Sequence, residues 1–254
     1  MGSSSPGIST RAADAAGEAT LELFRRNDAY TEFLWERLAS LASRPVAGRV
    51  LEVGCGIGNL TRIILRAPDV TFLKAIDMDP AYVERIRREI PDERLDTVAA
   101  RAEEFCPEEY QAQGTTFDFI VASNVLEHIE DHARVLSNFR GMLAPRGTVL
   151  LLVPAHPSLY SSLDRNLSHF RRYSRPALTA LANDCGLQVE GLRHFNPVGA
   201  VGWWLNGKML RRDLLPEGQL SLYARFAIPL SRLLDRWNPI PFGVSLIGAF
   251  GRTD

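Results

Sequence analysis

Gly54, Gly56 and Gly58 alternate along Glu52-Val53-Gly54-Cys55-Gly56-Ile57-Gly58-Asn59-Leu60-Thr61. Glycines so spaced let backbone turn tightly and approach a ligand with no Cβ in the way. Farther on, Asp77-Met78-Asp79-Pro80 supplies two acids, about 20 residues past the turn, where a carboxylate can accept hydrogen bonds from both hydroxyls of a ribose. Asp79, directly before Pro80, suits the N-cap of a helix that begins at the proline, which leaves Asp77 for the ligand. The third glycine of a dinucleotide-binding G-x-G-x-x-G would fall on Asn59, and the lysine of a P-loop is missing, so an NAD, FAD or P-loop nucleotide site is disfavoured.

A second group of chemistry-bearing residues is the polar stretch Asp164-Arg165-Asn166-Leu167-Ser168-His169-Phe170-Arg171-Arg172-Tyr173-Ser174. His169 is the first choice for acid/base work or acceptor contact. The alternative is a clamp, in which His169 and the two arginines hold the loop through carboxylates and backbone carbonyls. Arg171 and Arg172 are equally suited to receive a carboxylate or phosphate. His156, after Pro154, is a further candidate for the cleft. No G-x-S-x-G nucleophile elbow accompanies these residues, so a hydrolase triad is not expected.

These groups need a scaffold, and the chain supplies alternating strands and helices. Arg49–Val53, Phe72–Asp77, Leu95–Ala99, Phe117–Ala122 and Thr148–Val153 read as strands, with helical stretches near Leu60–Arg66, Ala81–Glu89 and Ala133–Leu143. Such alternation predicts a mainly parallel sheet covered by helices on both faces, with ligands bound beyond the carboxyl ends of the strands at a switch in strand order. Before the sheet, residues 1–17 read as a mobile tail and 18–44 as a helical segment, with Leu23, Tyr30, Phe33, Leu34, Leu38 and Leu41 at helical spacing.

The 254 residues are 46% hydrophobic and 23% charged, enough for a full core. Twenty-nine basic against 30 acidic residues give a net charge of −1, which offers no global pull toward nucleic acid or an anionic membrane. Cys55, Cys106 and Cys185 are far apart and form no C-x-x-C pair; a disulfide framework and a zinc site are disfavoured, and a reducing cytoplasm is the simpler home. Met1–Arg11 lacks the basic and apolar regions of a secretory signal, and no window reaches the roughly 18 apolar residues of a spanning helix.

Val50-Leu51-Glu52-Val53-Gly54-Cys55-Gly56-Ile57-Gly58 and Ala75-Ile76-Asp77-Met78-Asp79 resemble the first two motifs of the class I S-adenosylmethionine (SAM) dependent methyltransferases. Ala100–Phe105 is similar to the segment that packs against adenine, although the family's usual acid is Arg101 here. Phe117–Ile129 resembles the fourth-strand motif and Leu143–Thr148 the approach to strand five. The resemblance implies a Rossmann-like, doubly wound, seven-stranded α/β sheet of order 3-2-1-4-5-7-6, with residues 45–196 as the SAM-binding core and 242–254 as the final strand of a single domain spanning 18–254. It further implies that Gly54 and Gly56 lie against the methionine part of SAM, in a cofactor-binding turn that includes Cys55 and Gly58, with Glu52 ordering the loop or holding the amino group indirectly. Asp77 would hold the ribose, Met78, Ala102 and Glu103 the adenine, and Asn124 would sit near the methionine part. Met78 could equally be plain core.

The sulfonium of SAM is already activated, so alignment of the acceptor does most of the chemistry, and a general base helps when the acceptor is a hydroxyl. His128, in a Leu-Glu-His-Ile segment that recurs among small-molecule members, joins His169 as a catalytic candidate. Tyr30, His156, Arg171, Arg172, Tyr173 and Trp203 are assigned to the acceptor. No metal is expected, because Asn124 stands where a further acid would help. Residues 197–241 alternate apolar side chains, Trp203, Trp204 and Leu205 among them, with Lys208, Arg211, Arg212, Arg225, Arg232 and Arg236. That pattern reads as a helical insertion serving as a cap on the acceptor pocket, a homodimer surface, or a patch in a membrane interface. All three favour an amphiphilic, lipid-like or glycosylated small molecule as acceptor. Rival readings are a SAM-binding regulatory protein without turnover and a nucleic-acid methyltransferase. The second is disfavoured by the charge balance and by the lack of an N/D-P-P-Y/F motif after strand four.

Overall fold

A computed structural model describes residues 21, 22, 25, 28–105, 116–210, 229–232 and 241–253. Seven strands form one sheet: β1 (Gly48–Val53), β2 (Val70–Asp77), β3 (Leu95–Ala99), β4 (Phe117–Ser123), β5 (Leu143–Pro154), β6 (Leu187–Phe195) and β7 (Ser245–Arg252). Their order is β3-β2-β1-β4-β5-β7-β6, as the resemblance implies. Pairings from β3 across to β5 are parallel, and β7 runs antiparallel between β5 and β6.

The central strands are apolar on both faces because helices cover both. Alternation along a strand then divides the core in two. Leu51, Ile120, Val149 and Phe250 point into one cluster with Phe139 and Met142. Val50, Phe119, Leu150 and Ile247 point into the other with Phe33, Leu34 and Leu38. The helices that complete these clusters are α1 (Asp28–Ala39), α2 (Asn59–Leu65), α3 (Pro80–Glu89), α4 (His132–Met142), α5 (Ser162–Asn166), α6 (Arg175–Asp184) and α7 (Pro197–Trp203). Several begin as local chemistry dictates: Asp79 accepts from the Ala81 amide at 2.8 Å and Pro80 opens α3, Asp131 caps α4, and Ser174 caps α6 before Pro176.

Strand β5 begins at Leu143 rather than Thr148. Its pairing with β4 jumps from Phe117–Leu143 to Phe119–Thr148, and Arg146 within the jump has φ 62°. The Pro145-Arg146-Gly147 turn is therefore absorbed as an irregularity at the strand's start. Among the polar residues read as a loop after β5, Asp164–Asn166 belong to α5, which Ser161 starts with a capping box closed by Asp164. The tail 1–17, Leu23, Cys106 and most of the insertion, including Arg211, Arg212, Arg225 and Arg236, lie outside the described residues. Within 197–210 the chain is helical, and a π-type turn over Trp204–Met209 follows α7.

Candidate active site

The strand order reverses between β1 and β4, so the crevice beyond their carboxyl ends is where ligand-binding loops converge. Gly54 (φ 73°), Gly56 (φ 52°) and Gly58 (φ 82°) all adopt left-handed backbone, and a Cβ on Gly54 would lie 2.4 Å from Val125 Cγ2. The turn is braced from β2: the Gly54 and Cys55 amides donate to the Ile76 carbonyl at 2.8 and 3.0 Å. Asp77 accepts from the Gly56 amide through Oδ2 at 2.8 Å and from the Asp79 amide through Oδ1 at 2.9 Å. Burial raises its pKa, opposed by those two bonds.

Glu52 is buried in β1 and accepts from Thr61 Oγ1 at 2.7 Å. Desolvation pushes its pKa up to about 8 against that bond, with the charge of Asp77 adding to the rise. Burial also pushes the Cys55 thiol up. Past β2, the Ala100 amide donates to the Asp77 carbonyl at 2.9 Å, which brings Ala102 and Glu103 beside the end of β2. There Met78 is 67% exposed, an apolar side chain left open at the crevice. Arg101, in place of the family's acid, pairs with Glu103 at 3.1 Å. Asn124 sits in left-handed backbone (φ 54°) at the end of β4, its amide held by Leu152. The structure thus gathers the predicted cofactor residues around the ends of β1, β2 and β4.

In the loop after β5 the organising group is Asp164, 0% exposed. It accepts from Arg172 Nε at 2.6 Å, pairs with His169 Nδ1 at 3.0 Å, and accepts from the Ser161 amide at 3.0 Å and Trp203 Nε1 at 3.3 Å. Burial would raise its pKa, yet these partners leave it lowered. Arg172 is 5% exposed, its Nη1 donates to the Ala155 carbonyl at 2.9 Å, and its guanidinium lies over the Trp203 ring. Arg171 donates to the Glu130 carbonyl at 2.9 Å. In this arrangement both arginines clamp the loop, and Arg172 offers no free face to an anion.

His169, with Nδ1 on Asp164, lies beside Glu127 and His128 of a 3-10 turn (Leu126–His128) after β4. The rings of His128 and His169 meet edge to face at 4.7 Å. Glu127 is 0% exposed and neither of its carboxylate oxygens has a hydrogen-bond partner; desolvation pushes its pKa up to about 8. His128 keeps solvent-accessible surface at the mouth of the crevice, yet the surrounding protein, with His169 adding to it, pushes its pKa down to about 4.

The other acceptor candidates are more dispersed. Tyr173 is buried, its hydroxyl 2.7 Å from His132 Nδ1 and donating to the Leu126 carbonyl, and burial raises its pKa. His156 (φ 58°) stacks on His194 at 4.9 Å. Tyr30 stands with Phe195 and Asn196 at the end of β6, its pKa raised to about 12 by burial against a bond to Asn196. Sequence reasoning named Glu127 only as the neighbour of His128 and Asp164 only as part of a polar stretch. The available signals were an acid inside the apolar run Val125–Ile129 and a second acid five residues before His169.

The methyltransferase-domain family matches residues 22–192, more than half of the chain. The chain belongs to the class I SAM-dependent methyltransferases. This methyltransferase is 26% identical over 178 residues to a ubiquinone biosynthesis O-methyltransferase of Actinobacillus pleuropneumoniae, covering 62% of this chain and 74% of that one. It is 35% identical over 105 residues to a trans-aconitate 2-methyltransferase of Methylobacterium radiotolerans, covering 41% and 37%. Its fold matches the N-methyltransferase NodS of Bradyrhizobium japonicum, solved with S-adenosylhomocysteine, at TM-score 0.56, 18% identity and 88% and 86% coverage. An O-methyltransferase family protein from Burkholderia thailandensis superposes at TM-score 0.60, 15% identity and 97% and 61% coverage. SAM is the methyl donor, and the glycine cradle, the acid at Asp77 and the open apolar face of Met78 suit its amino-acid, ribose and adenine parts. Among the described residues no helix is long and apolar enough to cross a membrane.

Proposed function

We propose that the enzyme methylates a hydroxyl of a sizeable, partly apolar small molecule in the cytoplasm, and that His169, aided by His128 and Glu127, removes the acceptor's proton. The observation that supports this reading is the setting of His169: Asp164 holds its Nδ1, and its ring lies against that of His128 beside Glu127 after β4. SAM supplies an activated methyl group. As the acceptor oxygen forms its bond to the methyl carbon, the carbon–sulfur bond breaks and the acceptor's proton passes to the histidine cluster. An apolar acceptor is supported by the packing of residues 197–210 on this side. Trp203 reaches Asp164, and Gly207 lies so close to Ser161 that a Cβ there would stand 2.5 Å from Ser161 Oγ. These contacts support reading the described part of the insertion as a cap on the acceptor side.

Paired variants test the reading, with SAM affinity measured by calorimetry and turnover by product formation on amphiphilic hydroxyl compounds. Asp77→Ala removes a carboxylate that accepts two backbone amides, and charge-assisted bonds of about 1.5–3 kcal/mol predict SAM binding weaker by roughly 10- to 150-fold. His169→Ala is expected to leave SAM binding intact and lower turnover by about 10²- to 10⁴-fold. Full activity of His169→Ala on an accepted substrate would sink the catalytic assignment.

A further inference from the structure

A carboxylate with no exposure and no partner for either oxygen, such as Glu127, calls for a cation or a proton at the place it faces. Two imidazoles face the same place. The candidate ligand atoms of Glu127, His128 and His169 all lie within 4.8 Å of one another. A bond from the Phe170 amide to the Glu127 carbonyl at 2.8 Å pins the His169 loop against the Glu127 turn, across 42 residues of sequence.

We propose that Glu127, His128 and His169 hold a divalent transition-metal cation of the zinc, iron(II) or manganese class. Two imidazoles and one carboxylate favour such an ion over magnesium or calcium, which take oxygen sets. Bonds of about 2.0–2.2 Å would place the three ligand atoms about 3–3.5 Å apart, so from separations of at most 4.8 Å side-chain rotation has to close the set by about 1.3–1.8 Å at most. One outer contact is already that of a metal site: His169 Nδ1 is held by Asp164, which leaves the ring's other nitrogen for a ligand role. Three protein ligands leave positions open, as in catalytic rather than structural sites. The expectation of no metal rested on Asn124; the third ligand comes instead from the loop after β5.

The inference rests on the proposed acceptor chemistry and changes one part of it: with Glu127, His128 and His169 bound to the cation, the metal rather than the histidine cluster would prepare the acceptor's hydroxyl. The acceptor oxygen would coordinate the cation and release its proton to solvent, then form the bond to the methyl carbon as the carbon–sulfur bond breaks. The test uses the full chain stripped with a chelator and titrated with Co²⁺, followed by its visible absorption, and with Zn²⁺ by calorimetry. One ion per chain is expected, with a Co²⁺ spectrum that marks nitrogen and oxygen ligands. Glu127→Gln, His128→Ala and His169→Ala should each weaken binding at least 100-fold while retaining SAM binding, which shows that they fold. His194→Ala, outside the set, should bind as the parent does, and Asp164→Asn should weaken binding about 10- to 100-fold. Absence of stoichiometric binding, or binding unchanged in the three ligand variants, would overturn the metal site. If His169→Ala still lowers turnover in that case, the proposed acceptor chemistry stands with the histidine acting alone.

Discussion

Glu52 carries an acid into the interior of the central strand, where its pKa is raised to about 8, chiefly by desolvation. In the unfolded chain the same side chain has its ordinary value, 4.5. The folded state therefore binds this proton more tightly than the unfolded state does. Stability from this group is fully present below about pH 4.5 and is lost progressively as pH rises toward 8, where folding must leave a charge buried. Glu52→Gln keeps an oxygen for Thr61 and removes the titration. The variant should show a flatter stability profile between pH 5 and 8, with the largest gain over the parent near pH 8, measured by urea midpoints at each pH. A parallel pair of profiles would mean that Glu52 does not titrate in this window.

At the level of elements, the glycine turn and the insertion helix predict opposite outcomes for the same kind of substitution. Gly54→Ala forces a side chain into left-handed backbone and against Val125, 2.4 Å away. Strain of about 1–2 kcal/mol adds to an overpacking cost of about 1–3 kcal/mol, so the melting temperature should fall by many degrees and SAM affinity with it. Gly202 lies in α7, and a Cβ there would meet no described atom within 4 Å. Gly202→Ala should leave the melting temperature unchanged or raise it, by up to about 1 kcal/mol of stability. The contrast also shows what the sequence could disclose. The turn, the cap at Asp79 and strands β1 to β4 are set by residues a few positions apart, and their chemistry is visible in the string. The start of β5 was hidden because Pro145 and Gly147 look like a turn, and only pairing with β4 carries the strand through them. The convergence of Glu127, Asp164, His169 and Trp203 was hidden for the same reason on a larger scale. It depends on which loops the sheet brings to one end, and an arginine such as Arg172 looks available until its buried carboxylate is located.

For the whole molecule, the last strand is the piece that closes the sheet. β7 lies between β5 and β6, pairing with Thr148–Pro154 on one side and Leu187–Phe195 on the other. Its alternate side chains also enter both cores, Leu246 and Phe250 in one and Ile247 and Ala249 in the other. Removing residues 245–254 would therefore open two strand edges and withdraw packing from both faces at once. Loss of Phe250 alone, fully buried, corresponds to about 3–5 kcal/mol, a large share of the roughly 5–15 kcal/mol that holds a domain together. The truncated chain should lose its cooperative unfolding transition in circular dichroism and bind SAM no longer, although every predicted cofactor residue is retained. If it instead unfolds cooperatively and binds SAM, β1 to β5 with their helices form a self-sufficient unit, and β6 and β7 serve only the acceptor side. The packing of β7 favours the first outcome: Leu246 and Phe250 share a cluster with Leu51 of β1 and Ile120 of β4, and Ile247 and Ala249 share the other with Phe33 of α1 and Ile63 of α2, so removing the strand withdraws support from the strands that carry the cofactor site.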